Sequence, residues 1–261
     1  MNPFRSLLAI VLTVVAWSSA ANAAALPDPI ESGPTGLAIE YHVSPADRPA
    51  LRQLMQSSGI KQFEKWKAQG IIKHYQLLLN RYVDSQNWDM MAFVTFNTFS
   101  DVARWKLIED KTPAGLPLAA LKLTKTIRTT PADLYFQGGT YESRPVTPKS
   151  VFLIIPYDYT VSTAEYIKYS AGYIVPQFDG WLGEGVIASY GIYLGRYAVD
   201  RHWSALLVLE YKDDAALGLR EKTIAKVRAS LRENPAWKAI SDSKQNVRVG
   251  RAYIMADPLL P

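Results

Sequence analysis

The side chains best suited to proton transfer in this sequence are Glu40, His42 and His74. A histidine exchanges a proton near neutral pH, and a carboxylate can act as a general base when its surroundings allow it. Two histidines and a carboxylate also form a known iron-binding set. The alternative interpretation is that the three are hydrogen-bonded wall residues with no chemical role. The elements that carry them decide between these possibilities.

The chain that must position these side chains contains one stretch twice. Residues 71–105 align without a gap on residues 186–220, 115 positions later. Between positions 72 and 88 the shared pattern is Ile-x-x-Tyr-x-x-x-Leu-x-Arg-Tyr-x-x-x-x-x-Trp. It holds six identities in 17 positions, where average composition predicts roughly one. The sequence therefore predicts two units of the same fold, each near the usual size of a compact domain.

Both units show the same order of predicted elements, β-α-β-β-α-β, which is a ferredoxin-like unit. The first unit has a strand over Leu37–Val43, a helix to Ala68 with a break expected at Gly59, a hairpin over 71–96, a helix after Ser100 and a strand over Leu134–Tyr141. The second has a strand over Val151–Tyr159, a helix opened by a Ser162/Glu165 capping box, a hairpin over 186–211, a helix after Asp213 and a strand over Val247–Met255. We expect an α+β fold with units at 36–141 and 151–256, a linker at 142–150 and a tail at 257–261.

Two such units in one chain resemble the dimeric α/β barrel superfamily with both protomers fused, over roughly residues 36–256. The stretch Leu206–Trp237 is similar to the NIPSNAP-type branch. It has Glu210-Tyr211 at a strand end, an alanine- and arginine-rich helix over 215–232, and Asn234-Pro235-Ala236-Trp237; the first unit has Thr112-Pro113-Ala114-Gly115 instead. The resemblance implies two four-stranded sheets that face each other with helices outside. It also implies relatives that include cofactor-free monooxygenases, isomerase- and lyase-like enzymes and haem proteins.

The two-residue period of a strand predicts which side chains face the space between the sheets. Applying the shift of 115 residues to every strand pairs Glu40 with Ile155 and His42 with Tyr157. The polar or aromatic residues predicted on the inner face are Glu40, His42, His74, Gln76, Asn80, Tyr157, Ser189, Tyr193 and Glu210. Among them Tyr157 and Tyr193 would suit a flat apolar or aromatic ligand.

Residues kept in both copies are expected to serve the fold, because both units need it. They include the pairs Arg81/Arg196, Tyr82/Tyr197 and Trp88/Trp203. Arginine and tyrosine at a strand end commonly bind carbonyl groups or stack locally. The functional alternative is that Arg81 and Arg196 hold an anionic ligand. Inner-face residues that differ between the copies are where a site could have been specialised.

A shared metal site is not predicted for the two histidines. The first and second strands of a unit run parallel, and His42 lies late in its strand whereas His74 lies early. We expect instead that Glu40 or His42 pairs with Glu210 or Tyr157 across the lumen. His202, in the second hairpin turn, is expected to be solvated.

The N-terminal sequence and the net charge indicate where the protein works and which partners are not expected. Residues 1–23 have the charged start, apolar run and Ala21-Asn22-Ala23 site of a secretory signal peptide, followed by a leader at 24–35. We therefore expect a periplasmic or secreted protein. No later stretch has the ~20 continuous apolar residues of a membrane span. The mature net charge is +4, from +5 for the whole chain less Arg5, and the basic residues are scattered, so nucleic acid is not an expected partner.

Three functions remain open. The first is an exported protein that binds a small apolar or aromatic molecule between its sheets. The second is an enzyme in the same pocket, cofactor-free or dependent on haem or iron, with Glu40 or a histidine as general base. The third is a structural or interaction module. With no cysteine, no Gly-x-Ser-x-Gly elbow, no phosphate loop and no dinucleotide fingerprint, common hydrolases, kinases and dehydrogenases are disfavoured. The cofactor is not identified, and a fused barrel favours a monomer.

Overall fold

The structure, a computed structural model, describes residues 35–84, 86–197 and 202–261. The expected signal peptide and all but the last residue of the leader lie outside these ranges. The strands are β1 (Gly36–Val43), β2 (His74–Asn80), β3 (Met90–Thr95), β4 (Thr124–Gly139), β5 (Val151–Tyr159), β6 (Ile187–Gly195), β7 (Ala205–Tyr211), β8 (Arg248–Gly250) and β9 (Ile254–Pro258). The helices are α1 (Arg48–Leu54), α2 (Ile60–Ala68), α3 (Phe99–Glu109), α4 (Leu118–Leu123), α5 (Thr163–Tyr169), α6 (Val175–Gly183), α7 (Asp214–Gly218), α8 (Arg220–Leu231) and α9 (Pro235–Ser243).

The strands form one closed, antiparallel barrel. The first half contributes the order β4-β1-β3-β2, and the second half contributes β9-β5-β7-β6. The halves join at two seams, β2 with β9 and β4 with β6, so the last strand of each half pairs with the second strand of the other. The short strand β8 pairs with β5. The predicted α+β fold of two tandem ferredoxin-like units in one barrel is confirmed.

Local sequence explains how the helices begin and continue. Ser162 accepts a hydrogen bond from the Glu165 backbone N–H and Glu165 reaches back to Ser162, as predicted. The first half uses Thr98 and Asp101 for the same purpose, so the expected Ser100 cap is wrong by two positions. The expected break at Gly59 is instead a π-helical turn that joins α1 to α2 without interruption. Within the described residues, no helix combines the length and apolarity needed to cross a bilayer.

Three apolar clusters hold the fold together. Each half has one cluster in which its helices pack on the outer face of its sheet, and the third cluster fills the barrel interior. The interior cluster comprises Ala38, Leu78, Trp88, Met91, Phe93, Ala132, Tyr141, Phe152, Ile154, Tyr193, Trp203, Leu206, Val208, Ile254 and Ala256. Burial of this shared interior ties the halves into one cooperative body, because apolar area removed from water is the main driving force for folding.

The repeated arginines clamp the two seams. Arg81 follows β2 and donates to Asp257 of β9 at 2.6 Å and to Asp214, while Arg196 follows β6 and donates to Asp133 of β4 at 2.5 Å. These hydrogen bonds raise the pKa of Arg81 above its usual value. The repetition of Arg in the sequence therefore has a structural reason, since each half must be fastened to the last strand of the other.

The inner face of the first strand in the second half was predicted wrongly. Gly36 of β1 pairs with Thr95, whereas Phe152 of β5 pairs with Glu210, so the shift between β1 and β5 is one residue larger than the 115 of the hairpins. A slip of one residue moves every side chain of a strand to the opposite face. Ile155 and Tyr157 accordingly pack beneath the helices.

Candidate functional site

One end of the barrel, called the mouth here, holds a cavity of about 190 Å³. Its floor is built from pairs of residues that are equivalent in the two halves, Met91 with Leu206 and Trp88 with Trp203. Both indoles are almost fully buried, and the Trp203 ring nitrogen has no hydrogen-bond partner among the described residues. The cavity therefore has a pseudo-symmetric apolar base.

The wall above this base is asymmetric and carries Glu40 and His42. The two residues stand two apart on β1 and so share its inner face, with His42 Nε2 3.9 Å from a carboxylate oxygen of Glu40. Glu40 is 8% exposed, and neither side chain makes a hydrogen bond of normal length to a described residue. The shift derived from the strand pairings makes Pro156 the equivalent of Glu40 in the second half. The Glu40 carboxylate therefore has an apolar counterpart in the other half.

Charged side chains surround the mouth. Arg128 lies directly across from Glu40 on the neighbouring strand β4, lines the cavity and forms no ion pair within the described part of the chain. Arg251 also lines the cavity, but it is paired with Asp158 at 2.5 Å. His202, which was expected to be solvated, is half-buried and lines the cavity too. An anionic group at the mouth would therefore meet one cation without a carboxylate partner.

The centre of the barrel is filled, so the predicted pocket between the sheets is reduced to its ends. Tyr193 points inward as predicted, stacks on Phe93 with ring centroids 4.9 Å apart, and shares a hydrogen bond of 3.0 Å with the Tyr141 hydroxyl. Burial raises the pKa of Tyr193 well above its usual value. Tyr193 therefore works as a packing residue at the barrel centre.

The expected pairing of Glu40 or His42 with Glu210 is wrong because the residues lie at opposite ends. Glu210 stands four residues along β7 from Leu206 of the mouth, which is roughly 13 Å of strand. Its carboxylate accepts hydrogen bonds from Ser150 at 2.7 Å and from Ser189 at 2.6 Å. All three are buried, so this cluster fastens the start of β5 to the sheet.

The expected pairing with Tyr157 is also wrong, because Tyr157 faces outward. The guanidinium of Arg248 lies over its ring, 3.8 Å from the ring centroid. The same guanidinium lies 5.4 Å from the ring centroid of Tyr169. Arg248 is surrounded by tyrosines instead of carboxylates. Tyr157 therefore belongs to the contact between β8 and the helices of the second half.

Three further predicted ligand residues already have intramolecular partners. The Asn80 side chain donates to the Trp88 carbonyl at 3.0 Å and accepts from the Tyr82 backbone N–H at 3.1 Å. Arg81 and Arg196 hold the seams. Whether any of them also contacts a ligand stays a prediction, but their present contacts shape the hairpins.

His74 and Gln76 lie on a different cavity, of about 330 Å³, at the opposite end of the barrel from Glu40. The separation follows from register, because His74 pairs with Thr95 and Glu40 with Met91, four residues apart on β3. Burial lowers the pKa of His74; Lys67 and Lys73 act in the same direction, whereas Glu142 raises it. The argument that His42 and His74 lie far apart is therefore correct.

Metal and haem binding can be tested against these surroundings. In the described ranges, no three histidine or acidic side chains stand close enough to hold a metal ion. His42 and His202 each have a ring nitrogen that could bind a haem iron, but the cavity of about 190 Å³ is below the ~300–1,000 Å³ of typical small-molecule sites. A porphyrin does not fit there.

Sequence reasoning missed the contribution of Trp88, Trp203 and Arg128. The tryptophans were assigned to the fold because both copies have them, yet they also form the base of the mouth. Arg128 was overlooked because residues 126–133 were not predicted as a strand, whereas β4 runs from Thr124. The available signal was the β-branched content of Thr126, Ile127, Thr129 and Thr130, which favours a strand.

Solved structures with the same architecture are found by comparison of the fold. A candidate monooxygenase from Lactobacillus acidophilus NCFM aligns over 87% of this chain and 94% of its own, with 12% identity and a TM-score of 0.54. A candidate monooxygenase from Fusobacterium nucleatum aligns over 87% and 93%, with 10% identity and a TM-score of 0.53. The chain has a dimeric α/β barrel fold. At these identities the likeness concerns the fold alone.

The remaining structural and sequence comparisons do not identify a family for this chain. A haem-binding protein from Thermus thermophilus has a TM-score of 0.47 at 8% identity over 87% of this chain and 91% of its own, which carries no argument about this chain. No protein-family model matches the sequence, and no curated protein matches it significantly. The similarity to NIPSNAP-type domains stays a prediction.

Proposed function

We propose that this chain is a small-molecule-binding protein whose ligand occupies the barrel mouth. The observation that carries the proposal is the cavity with two indoles at its base and the Glu40–His42 pair on its wall. Mouths of β-barrels are a common place for ligand sites, and such sites combine apolar walls with a few polar groups. The ligand is small and flat, with one polar group that reaches Glu40, His42 or Arg128.

The size and charge of the mouth narrow the ligand class. A cavity of about 190 Å³ suits a compound of one or two rings. The unpaired Arg128 favours an acidic substituent, and a carboxylate next to Glu40 would bind best when one of the two is protonated. Phenols, quinones and monocyclic aromatic acids are therefore the first compounds to examine.

Thermal unfolding with a panel of these compounds tests the proposal. We expect at least one to raise Tm, because a ligand at 100 times its Kd adds about 2.7 kcal/mol to the free energy of unfolding. Glu40→Gln and Trp88→Phe should remove most of this shift, whereas Tyr157→Phe, on the outer face, should keep it. A panel without any shift, or a shift equally sensitive to Tyr157→Phe, would contradict binding at the mouth.

A second candidate, favoured by one observation, is proton-transfer catalysis in the same cavity. His42 Nε2 is buried, has no hydrogen-bond partner among the described residues and faces the Glu40 carboxylate at 3.9 Å. An unsatisfied buried nitrogen is costly, and functional sites are a common reason for one. Glu40 or His42 would then remove a proton from the bound ligand, with the other residue as its hydrogen-bonding neighbour.

Deuterium exchange from a bound ligand separates catalysis from binding. If the pair acts as a base, the whole protein should exchange a carbon-bound or phenolic-ring proton of the ligand with D₂O, as seen by NMR. His42→Gln should slow exchange by about 10²–10⁴-fold while the Kd changes little. A wild-type protein that binds the ligand without exchange, or exchange that is unaffected by His42→Gln, would leave binding as the function.

The setting of this function is proposed from the N-terminal sequence. The chain is exported by its signal peptide, works in the periplasm or outside the cell, and acts as a monomer because both halves of the barrel are in one chain. Mass spectrometry of the N-terminus of secreted protein tests cleavage after Ala23. Native mass spectrometry tests the monomer.

A further inference from the structure

The larger cavity, at the end of the barrel opposite the mouth, exists because one seam is only partly closed. At the seam of β4 with β6 seven residue pairs are in register, but at the seam of β2 with β9 there are three. Beyond Leu78, the described residues close this seam with one backbone hydrogen bond, from Leu259 N–H to the Leu77 carbonyl at 2.9 Å. The linker over 142–146 and the tail over 258–261 border the gap that remains.

The same place in the second half is filled by the protein itself. Gly191 stands where the first half has Gln76, and a Cβ atom at Gly191 would lie 2.7 Å from the Tyr141 ring. The Tyr141 ring thus fills the space beside Gly191 that corresponds to the open space beside Gln76. The first half therefore has a pocket at this position, and the second half has a tyrosine side chain in its place.

The lining of this pocket is apolar inside and cationic at the rim. Ile60, Leu77 and Leu259 are buried in its wall, and the volume of about 330 Å³ falls within the ~300–1,000 Å³ range of small-molecule sites. Lys67 and Arg144 stand exposed at the rim and form no ion pair within the described ranges. The apolar wall suits a hydrocarbon body, and the rim suits an anionic group.

The acidic residues of the pocket are already satisfied. Glu64 accepts a hydrogen bond from the Tyr75 hydroxyl at 2.6 Å. Glu142 accepts from Lys73 at 2.8 Å and from the Thr95 hydroxyl at 2.7 Å. Lys73 therefore neutralises Glu142, whereas Glu64 keeps its charge; Lys67 and Arg144 are the two cations of the described lining that have no ion pair.

An amide in the wall also suits a ligand. Gln76 is only 7% exposed, lines the pocket, and makes no side-chain hydrogen bond to any described residue. Its amide can therefore donate a hydrogen bond to a molecule in the pocket and accept one from it. Two residues away on the same strand, burial lowers the pKa of His74, which favours the neutral imidazole, and this ring can also share a hydrogen bond.

We propose that this pocket is a second ligand site, which takes a small apolar carboxylate. The hydrocarbon body lies against Leu77 and Leu259, the carboxylate lies at the rim with Arg144 and Lys67, and Gln76 donates a hydrogen bond to one of its oxygens from the wall. The site is independent of the mouth, so either can bind its ligand when the other is altered.

Calorimetry with 2-naphthoate and its neutral isostere 2-naphthamide tests the proposal on the whole chain. We expect the carboxylate to bind about tenfold more tightly, as one hydrogen bond to a charged group implies. Arg144→Gln should remove most of that preference without changing the affinity for the amide. Lys111→Gln, an exposed charge remote from the pocket lining, should have no effect.

Two variants locate the site. Val146→Trp places a large ring in the pocket from the linker and should abolish binding of both compounds. Gln76→Leu should weaken both, with Tm measured alongside to show that the fold is intact. Equal affinity for acid and amide, unchanged binding in Val146→Trp, or no binding of either compound would overturn the proposal.

Discussion

Removing Arg196 should destabilise the protein far more than removing Arg81, although the repeat makes them equivalent. Both arginines follow the second strand of their half and bind an aspartate of the last strand of the other half. They differ in burial. The side chains of Arg196 and Asp133 are 13% and 12% exposed, whereas the aspartates that bind Arg81 are 42% and 70% exposed.

The expected magnitudes follow from what each substitution leaves behind. Arg196→Leu leaves Asp133 as a nearly buried carboxylate with the Thr35 backbone N–H, at 3.0 Å, as its main donor. Breaking a buried ion pair costs about 3–5 kcal/mol, and the residual exposure here favours the lower end. Arg81→Leu leaves Asp257 and Asp214 in contact with water, where a lost pair costs about 0–1 kcal/mol. The difference is about 2 kcal/mol, or roughly 4–8 °C in Tm for a chain of this size.

Thermal and urea unfolding of the two variants, followed by circular dichroism, measures this difference. Adding Asp133→Asn to Arg196→Leu should recover part of the lost stability, because the stranded charge is then removed. Equal losses in the two single variants, or no recovery in the double variant, would refute the argument that burial decides the strength of the seam contacts.

Other substitutions test separate features. Gly139→Ala should lower the free energy of unfolding by more than about 2 kcal/mol, because φ at Gly139 is +69° and the new Cβ would lie 2.2 Å from a backbone oxygen. The matched variant Gly183→Ala has open space around the new Cβ and should be neutral or stabilising by up to about 1 kcal/mol. Tyr41→Phe should cost about 1–2 kcal/mol in urea unfolding, because it removes a buried 2.6 Å hydrogen bond to the Ala114 carbonyl. His74 has a lowered pKa, so the unfolded chain binds its proton first; stability should be full above pH ~6.5 and fall as pH decreases below it, and His74→Gln should flatten that part of the curve.

Much of the fold could be predicted because the repeated hairpins fix their own register. The inward faces of β2, β3, β6 and β7 follow from the period of two and from the gapless shift, and Leu78, Phe93, Tyr193 and Val208 all lie in the interior cluster. A strand within a well-marked hairpin needs no information from distant parts of the chain.

The first strands could not be aligned in the same way. One residue fewer separates β5 from β6 than separates β1 from β2, and the intervening helices have no shared pattern that would reveal it. That single residue turned Tyr157 outward. The mouth depends on the same register, because Pro156 and Ile154, not Ile155, complete its wall. The site residues of the second half were predicted wrongly because the pairing of the two halves, which no local sequence pattern reveals, decides which side chains come together.

The strand exchange at the seams also decides how the chain can be divided. Cutting within residues 142–150 would give two pieces, each with unpaired strands at both sheet edges, β2 and β4 in one and β6 and β9 in the other. Exposed edges of this kind favour aggregation when a piece is alone. Produced together, the pieces have matching edges only for each other or for their own copies. The protein is therefore suited to fragment complementation, with the mouth assembled only when the two pieces recombine.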